Sequence, residues 1–219
     1  MPIDEAARES AAQPSPPPLW RGPRLVLASS SAGRAALLRS AGLDFAVDPA
    51  RLDERAVEEE FRRAGGAASG LAARLAEAKA IEVSARHPGA LCLGADQTLT
   101  LGERVLHKPK DMAAARDHLQ LLAGRVHRLI SAFCFARNGR ALFQAADEAR
   151  MAMRPLDPGA LSLYLSLAGE AALASVGAYQ AEGLGVHLFE RIEGDHATII
   201  GLPLLPVLAW LRRQGYLAL

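Results

Sequence analysis

The chain has 219 residues, half of them hydrophobic and 22% charged, a balance that suits a globular protein. Its formal net charge of +1 and its 5% aromatic content argue against nucleic-acid binding through bulk charge or base stacking, so any anion site is local. Two cysteines and six scattered histidines offer no zinc-ligand spacing, and no apolar run is long enough to cross a bilayer.

Residues 1 to about 22 are rich in Pro, Ser and Ala and are predicted as a disordered extension, with one folded domain over 23–219. The extension has acidic residues and no apolar core, so it is not read as a signal peptide, and a soluble cytoplasmic protein is expected. "RLVLA" reads as a buried strand. It meets Ser29-Ser30-Ser31, and helical spacing runs from Ala32 to Ser40 with Gly42 as the stop. Gly65 and Gly66 break the next segment. Gly70 to Arg86 is predicted as an amphipathic helix with Leu71, Leu75, Ala78 and Ile81 on its buried side and Lys79 one position off that stripe. "ALCLG" reads as a short strand, "QTLTL" and "RVLHK" as a hairpin about Gly102-Glu103. That places Asp96 at a strand end and Lys108 at the end of the hairpin. Asp111 is suited to cap a helix to about Leu122. A long hairpin follows, turning at Asn138-Gly139, and Asp157-Pro158 opens a helix to about Leu167. Next come a glycine-rich loop, a strand, a turn at Gly194-Asp195 and another strand. Pro203 opens the last helix, which ends near Arg213. Cys92 and Cys134 lie in apolar, strand-like stretches and are expected as buried thiols. The mixture predicts an α/β or α+β protein with a mixed sheet.

Several residues are candidates for chemistry, each weak alone. The turn at Ser29–Ser31 feeds a helix N-terminus, where unpaired N–H groups attract anions, and Arg34 has the fork geometry that grips phosphate. The lysine of the familiar phosphate loop is missing, so a loop of that class is excluded. Asp96 suits a base or a metal ligand, or simply a turn. Lys79 and Lys108 suit phosphate oxygens, though most single lysines only solvate a surface. Asp53 and Glu54 form an acidic pair, and Glu182 sits between a tyrosine and glycines that permit close approach of a ligand. Together they make an anion-holding turn, acidic groups for a metal and cations for phosphates, the set that nucleotide phosphate hydrolysis needs.

"LASSSAGRAALLRSAGLDF", "LAEAKA", "LGADQTL", "HKP", "LLAGRVHRLIS", "VGAYQAEGLG" and "IEGDHATIIGLPL" stand in one order over residues 24 to about 215. In this the chain resembles the Maf family of nucleoside triphosphate pyrophosphatases. The resemblance implies an inosine triphosphatase-like α/β fold, a mixed sheet flanked by helices around a central cleft. It implies hydrolysis of a nucleoside triphosphate to the monophosphate and pyrophosphate, with Mg²⁺ or Mn²⁺. The biological role implied is keeping unwanted nucleotides out of nucleic acid, with a link to division arrest. Carried over by motif, Asp96 is the proton acceptor, Lys79 and Lys108 are catalytic, Ser29, Ser31 and Arg34 bind phosphate, and Glu54 and Asp96 hold the metal. Gly33, Gln97 and Glu182 match three positions that tune base choice. Gln97 and Glu182 resemble the 7-methyl-GTP branch, and a carboxylate can accept from guanine N1–H and N2–H. The opening turn departs from the family's S-x-S-P-R-R: the proline and the second arginine are absent. That departure keeps a second class open, a non-catalytic nucleotide sensor regulating division on the same fold. The partner implied is the nucleotide, with neither nucleic acid nor membrane, and a homodimer is the default expectation for a cytoplasmic enzyme.

Overall fold

One long strand organises the molecule. In the computed structural model, which describes residues 18–219, β3 (Leu91–Leu101) runs unbroken through "LCLGADQTLTL". β1 (Leu25–Ala28) pairs parallel with its first half, Leu25 opposite Leu91 and Ala28 opposite Gly94. β4 (Arg104–Leu106) folds back and pairs antiparallel with its last residues, Leu106 opposite Leu99 and Arg104 opposite Leu101. β1 and β4 thus share one edge of β3. Between them Ala95–Thr98 has no strand partner on that edge.

The other edge of β3 is fully paired with β5 (Val126–Arg137), from Cys92 opposite Ala136 to Thr100 opposite Arg128. β6 (Arg140–Met153) follows through the predicted Asn138-Gly139 turn, where both residues take positive φ. With β2 (Ala46–Val47) outside β1 and β7 (Phe189–Glu193) outside β6, the sheet order is β2-β1-β3-β5-β6-β7, with β4 also on β3. The sheet is mixed, as expected.

Helices cover both faces. On one lies α3 (Leu71–Arg86), whose Ala72, Ala76 and Ala80 pack on Ile130, Ala132, Cys134 and Ala136 of β5. On the other, α1 (Ala32–Ser40) and α7 (Leu204–Arg213) enclose a core with Leu27, Leu93, Phe133 and Phe135, and Trp210 stacks on Phe135 at 4.3 Å between ring centres. A second core beside it joins Leu99, Leu129 and Met151 to α4 (Met112–Leu122) and α5 (Pro158–Ala168). Asp111 and Asp157 cap these helices as their positions predict, accepting from Ala114 and Ala160 N–H at 2.8 Å each. Cys92 and Cys134 are free and buried, and burial pushes their thiols up to about 11 and about 12.

Four expectations are corrected. The apolar run does not end at Gly94, so Asp96 lies mid-strand rather than at a strand end. The strand expected after Gly194-Asp195 is instead α6 (His196–Ile200): Asp195 accepts from Ala197 and Thr198 N–H at 2.9 and 3.2 Å and starts a helix that Gly201 ends at φ 116°. On α3 the buried face carries Ala72, Leu75, Ala76, Lys79, Ala80 and Val83, so Lys79 lies on the stripe rather than beside it. The folded part begins before Gly22. Leu19 O accepts from Ala218 N–H and Arg21 N–H donates to Tyr216 O, each at 2.9 Å, pinning this stretch to the C-terminus. The rest of the predicted extension, residues 1–17, lies outside the described residues.

His127 on β5 is buried against Tyr179 and Phe189, its Nε2 2.6 Å from the Tyr179 hydroxyl and its Nδ1 without a partner among the described residues. Burial pushes its pKa down from 6.5 to about 4. The unfolded chain takes up a proton here near pH 6.5, whereas the folded chain does so only near pH 4, so acidification favours unfolding across that window. The full effect is roughly 3 kcal/mol. His127→Phe is expected to flatten the loss of stability between pH 6.5 and 4, read as the slope of urea-denaturation free energy against pH.

Candidate active site

Asp96, Gln97, Lys79, Glu54 and Arg34 gather at the unpaired stretch Ala95–Thr98, and the register explains why. β1 ends level with Gly94 and sends the Ser29–Ser31 turn and α1 into the gap. β4 runs the opposite way, and beyond Leu106 it leads His107 and Lys108 toward the level of Thr98 and Gln97. Ligands of open α/β sheets sit where neighbouring connections diverge in this way.

Side chains alternate across a strand, so Asp96 and Gln97 face opposite sides of the sheet. Asp96, only 7% exposed, lies on the α3 side. Lys79 reaches it from the buried stripe of α3, with Nζ 2.5 Å from Asp96 Oδ1. The same ammonium lies 2.9 Å from Glu54 Oε1, at the first turn of α2 (Glu54–Arg63), which Asp53 caps. Glu54 is more than half exposed, so the acidic pair divides: Asp53 serves the helix and Glu54 the site. Burial holds the Asp96 carboxyl above its ordinary value, Lys79 and Arg34 pull against that, and Glu54 adds to the rise.

Arg34 does not face solvent. Its Nη1 donates to Ala95 O at 2.9 Å, on the open edge of β3, and to Ser29 Oγ at 3.0 Å. Its Nε donates to Gly201 O at 2.9 Å, just after α6. One guanidinium therefore ties together the end of β1, β3 and the end of α6, while Nη2 has no hydrogen-bond partner among the described residues. Burial lowers the Arg34 pKa, opposed by Asp96 and then Glu54, which keep the positive charge favoured. Ser31 caps α1 by accepting from Arg34 N–H at 3.3 Å, and buried Ser29 accepts from Ser31 N–H at 3.2 Å. Both hydroxyls still have a hydrogen to donate to a phosphate oxygen.

On the far face, Gln97 Nε2 lies 3.1 Å from Thr198 O, 2.9 Å from Ile199 O and 3.0 Å from Ser131 Oγ, so its two hydrogens are shared among three acceptors and the amide is fixed. Thr198 is held in turn by Asp147, its Oγ1 donating to Oδ2 at 2.9 Å. Gly33 borders the same helix, since a Cβ there would lie 2.8 Å from Ile200 Cγ2. Gly33 and Gln97 are thus both neighbours of α6. Glu182 is exposed and joined to neither by a hydrogen bond among the described residues, but Gly177, a few residues before it, packs against Leu99 on the Gln97 face. Lys108 is exposed and makes no ion pair among the described residues. Its neighbour His107 lies 3.5 Å from Glu58, one turn after Glu54 on α2. Ser131 and Thr198 hold Gln97 directly and Asp147 holds Thr198; the first two lie within quoted motifs but carry no expected role, because only the fold brings β5, β6 and α6 together around Gln97.

Glu54 and Asp96 present hard carboxylate oxygens, the ligands that Mg²⁺ and Mn²⁺ take, and such ions are commonly held by one or two carboxylates plus substrate phosphates. The donor set therefore fits a divalent ion that shares its shell with a nucleotide. Among the described residues no group of three or more His, Cys, Asp or Glu forms a complete protein cage.

A family model described as Maf-like protein matches residues 24–214. The chain is 52% identical over 191 residues to a protein of Brucella abortus named 7-methyl-GTP pyrophosphatase, covering 87% of this chain and 96% of that one. It is 55% identical over 192 residues to a Mesorhizobium japonicum protein of the same name, covering 88% and 96%. A Rhodopseudomonas palustris protein named nucleoside triphosphate pyrophosphatase is 54% identical over 203 residues, covering 92% and 99%. The motifs that converge on the gap in β3 thus lie within one continuous family match, and the chain belongs to the Maf-like protein family.

Proposed function

We propose that this chain is a nucleoside triphosphate pyrophosphatase, cleaving the bond between the α- and β-phosphates, and that 7-methyl-GTP is a preferred substrate. The observation that carries the reading is the Glu54–Lys79–Asp96 cluster beside Arg34 at an unpaired strand edge. It supplies a buried carboxylate for water and fixed cations for phosphates. The names of the relatives support the same reaction. Because the edge of β3 is open at Ala95–Thr98, one ligand can touch both faces: the triphosphate at Asp96, Lys79 and Arg34, the base at Gln97 and toward Glu182.

In this mechanism Asp96 orients a water molecule and takes its proton as the oxygen attacks the α-phosphorus. The bond from phosphorus to the bridging oxygen breaks, and pyrophosphate leaves. Lys79, Lys108, Arg34 and the α1 N-terminus meet the charge that grows on the leaving group, and fixed charges aimed there lower the barrier. Ser29 and Ser31 donate to phosphate oxygens. Glu54 and Asp96 are the residues that would hold the divalent ion, which when bound supplies charge neutralisation at the phosphates.

The test is pyrophosphate release from a side-by-side panel of 7-methyl-GTP, GTP, UTP, dTTP, CTP and ATP with Mg²⁺ or Mn²⁺. Turnover is expected, highest for 7-methyl-GTP. Tight binding without release from any of them would favour the sensor reading, which the missing second arginine suggests. Glu182→Gln is expected to lower the ratio of kcat/KM for 7-methyl-GTP over UTP by about tenfold, the size of one lost charge-assisted hydrogen bond.

A further inference from the structure

The site as folded already holds a cation. Lys79 Nζ lies 2.5 Å from Asp96 Oδ1 and 2.9 Å from Glu54 Oε1, between the two carboxylates assigned to the metal. Arg34 stands close enough to Asp96 and Glu54 for both carboxylates to favour its charge. Two carboxylates, one ammonium and one guanidinium sum to zero. A divalent ion entering alone would raise this partly buried charge to +2 and would separate the ammonium from both its partners. Among the described residues, no third side chain of ligand type joins the pair.

A triphosphate changes each of these terms. It brings compensating negative charge and oxygen ligands for the ion, and it offers the ammonium a new anionic partner. The flexible four-carbon stem of Lys79 lets Nζ move to that partner while its Cα stays on the buried face of α3.

We propose that Lys79 is a built-in occupant of the metal position, so that the free protein excludes divalent ions and accepts one only together with a nucleoside triphosphate. The proposal rests on the pyrophosphatase reading for the identity of the nucleotide, whereas the exclusion is a property of the free protein. Lys79 then has two successive duties: it neutralises Asp96 and Glu54 in the empty site, and it grips phosphate in the loaded one. Metal and nucleotide enter as a unit, and an abundant free ion does not preload the site.

The experiment is Mn²⁺ binding to the full chain without nucleotide, followed by the electron paramagnetic resonance of the free ion. Lys79→Met is expected to bind Mn²⁺ at least tenfold more tightly than wild type, and adding Asp96→Asn to that variant removes the gain. Lys79→Gln, which keeps a polar group beside the carboxylates, is expected to gain in the same direction and serves if the methionine variant does not fold. A wild-type arm needs no substitution: GTP with a methylene bridge between its α- and β-phosphorus is expected to raise protein-bound Mn²⁺ at least tenfold, read by water-proton relaxation. Wild-type protein that binds Mn²⁺ alone as tightly as Lys79→Met overturns the proposal, as does an analogue that binds the wild-type chain without raising bound Mn²⁺. A chain that excludes Mn²⁺ until Lys79 is removed, yet releases no pyrophosphate from any nucleotide, upholds this proposal while the pyrophosphatase reading fails.

Discussion

Asp96→Asn is expected to lower pyrophosphate release by about a thousandfold while leaving the chain folded, within the range found when a positioned general base is removed. The substitution keeps the size of the side chain and leaves Lys79 its bond to Glu54 at 2.9 Å, so the interior is not emptied. What it removes is the proton acceptor. The wild-type pH profile carries the same assignment. Burial holds the Asp96 carboxyl above its ordinary value, and only the ionised form accepts a proton, so kcat/KM falls as pH drops through that raised value. The acid limb of the wild-type profile therefore lies above the usual aspartate range. Steady-state pyrophosphate release measured across pH tests both statements. Turnover of the variant within tenfold of wild type would remove Asp96 from the role of base.

Most of the fold was legible because its boundaries are marked locally. Asn138-Gly139 announces a hairpin, Asp111 and Asp157 announce helices, and leucine-rich spacing announces α1. The failures share a cause, which is that contacts distant in sequence overrode the local signal. "HATII" is rich in β-branched residues, yet it is helical because Asp195 caps it and because Thr198 is held by Asp147 from β6. Leu19–Arg21 resembles a disordered tail until Tyr216–Ala218 is placed beside it. Arg34 stands out in the sequence only as a cation in the first turn of α1, and only the register that leaves Ala95 O unpaired gives its guanidinium a buried place. The site was legible as a set of residue types and motifs. The gap that gathers them was not, since it depends on where two strands stop along a third.

Gly94→Ala is expected to be among the most damaging single-methyl additions in the chain, at once to stability and to activity. Gly94 lies on the same face of β3 as Asp96, two residues before it. A Cβ at Gly94 would stand 2.2 Å from Ala76 O and 2.5 Å from Ala80 N, both backbone atoms of α3, and 2.9 Å from Ala80 Cβ. No rotamer change relieves contacts with backbone, so the helix itself must move. α3 is seated by Ala72, Ala76 and Ala80 on β5, and lifting it opens that whole layer. The cost of such overpacking is about 3 kcal/mol or more, and for a chain of this length each kcal/mol lowers Tm by roughly 2–4 °C. Activity falls further than stability alone accounts for, because the displaced helix carries Lys79 away from Asp96. The local packing argument makes a sharper demand. Ala80→Gly removes one neighbour of the new methyl but leaves Ala76 O in place, so the double variant is expected to recover little. Urea denaturation and pyrophosphate release on the single and double variants test this. If Ala80→Gly restores wild-type stability, the methyl clash is with a side chain rather than with the helix backbone, and the coupling drawn here between the seat of α3 and the Lys79–Asp96 distance is lost.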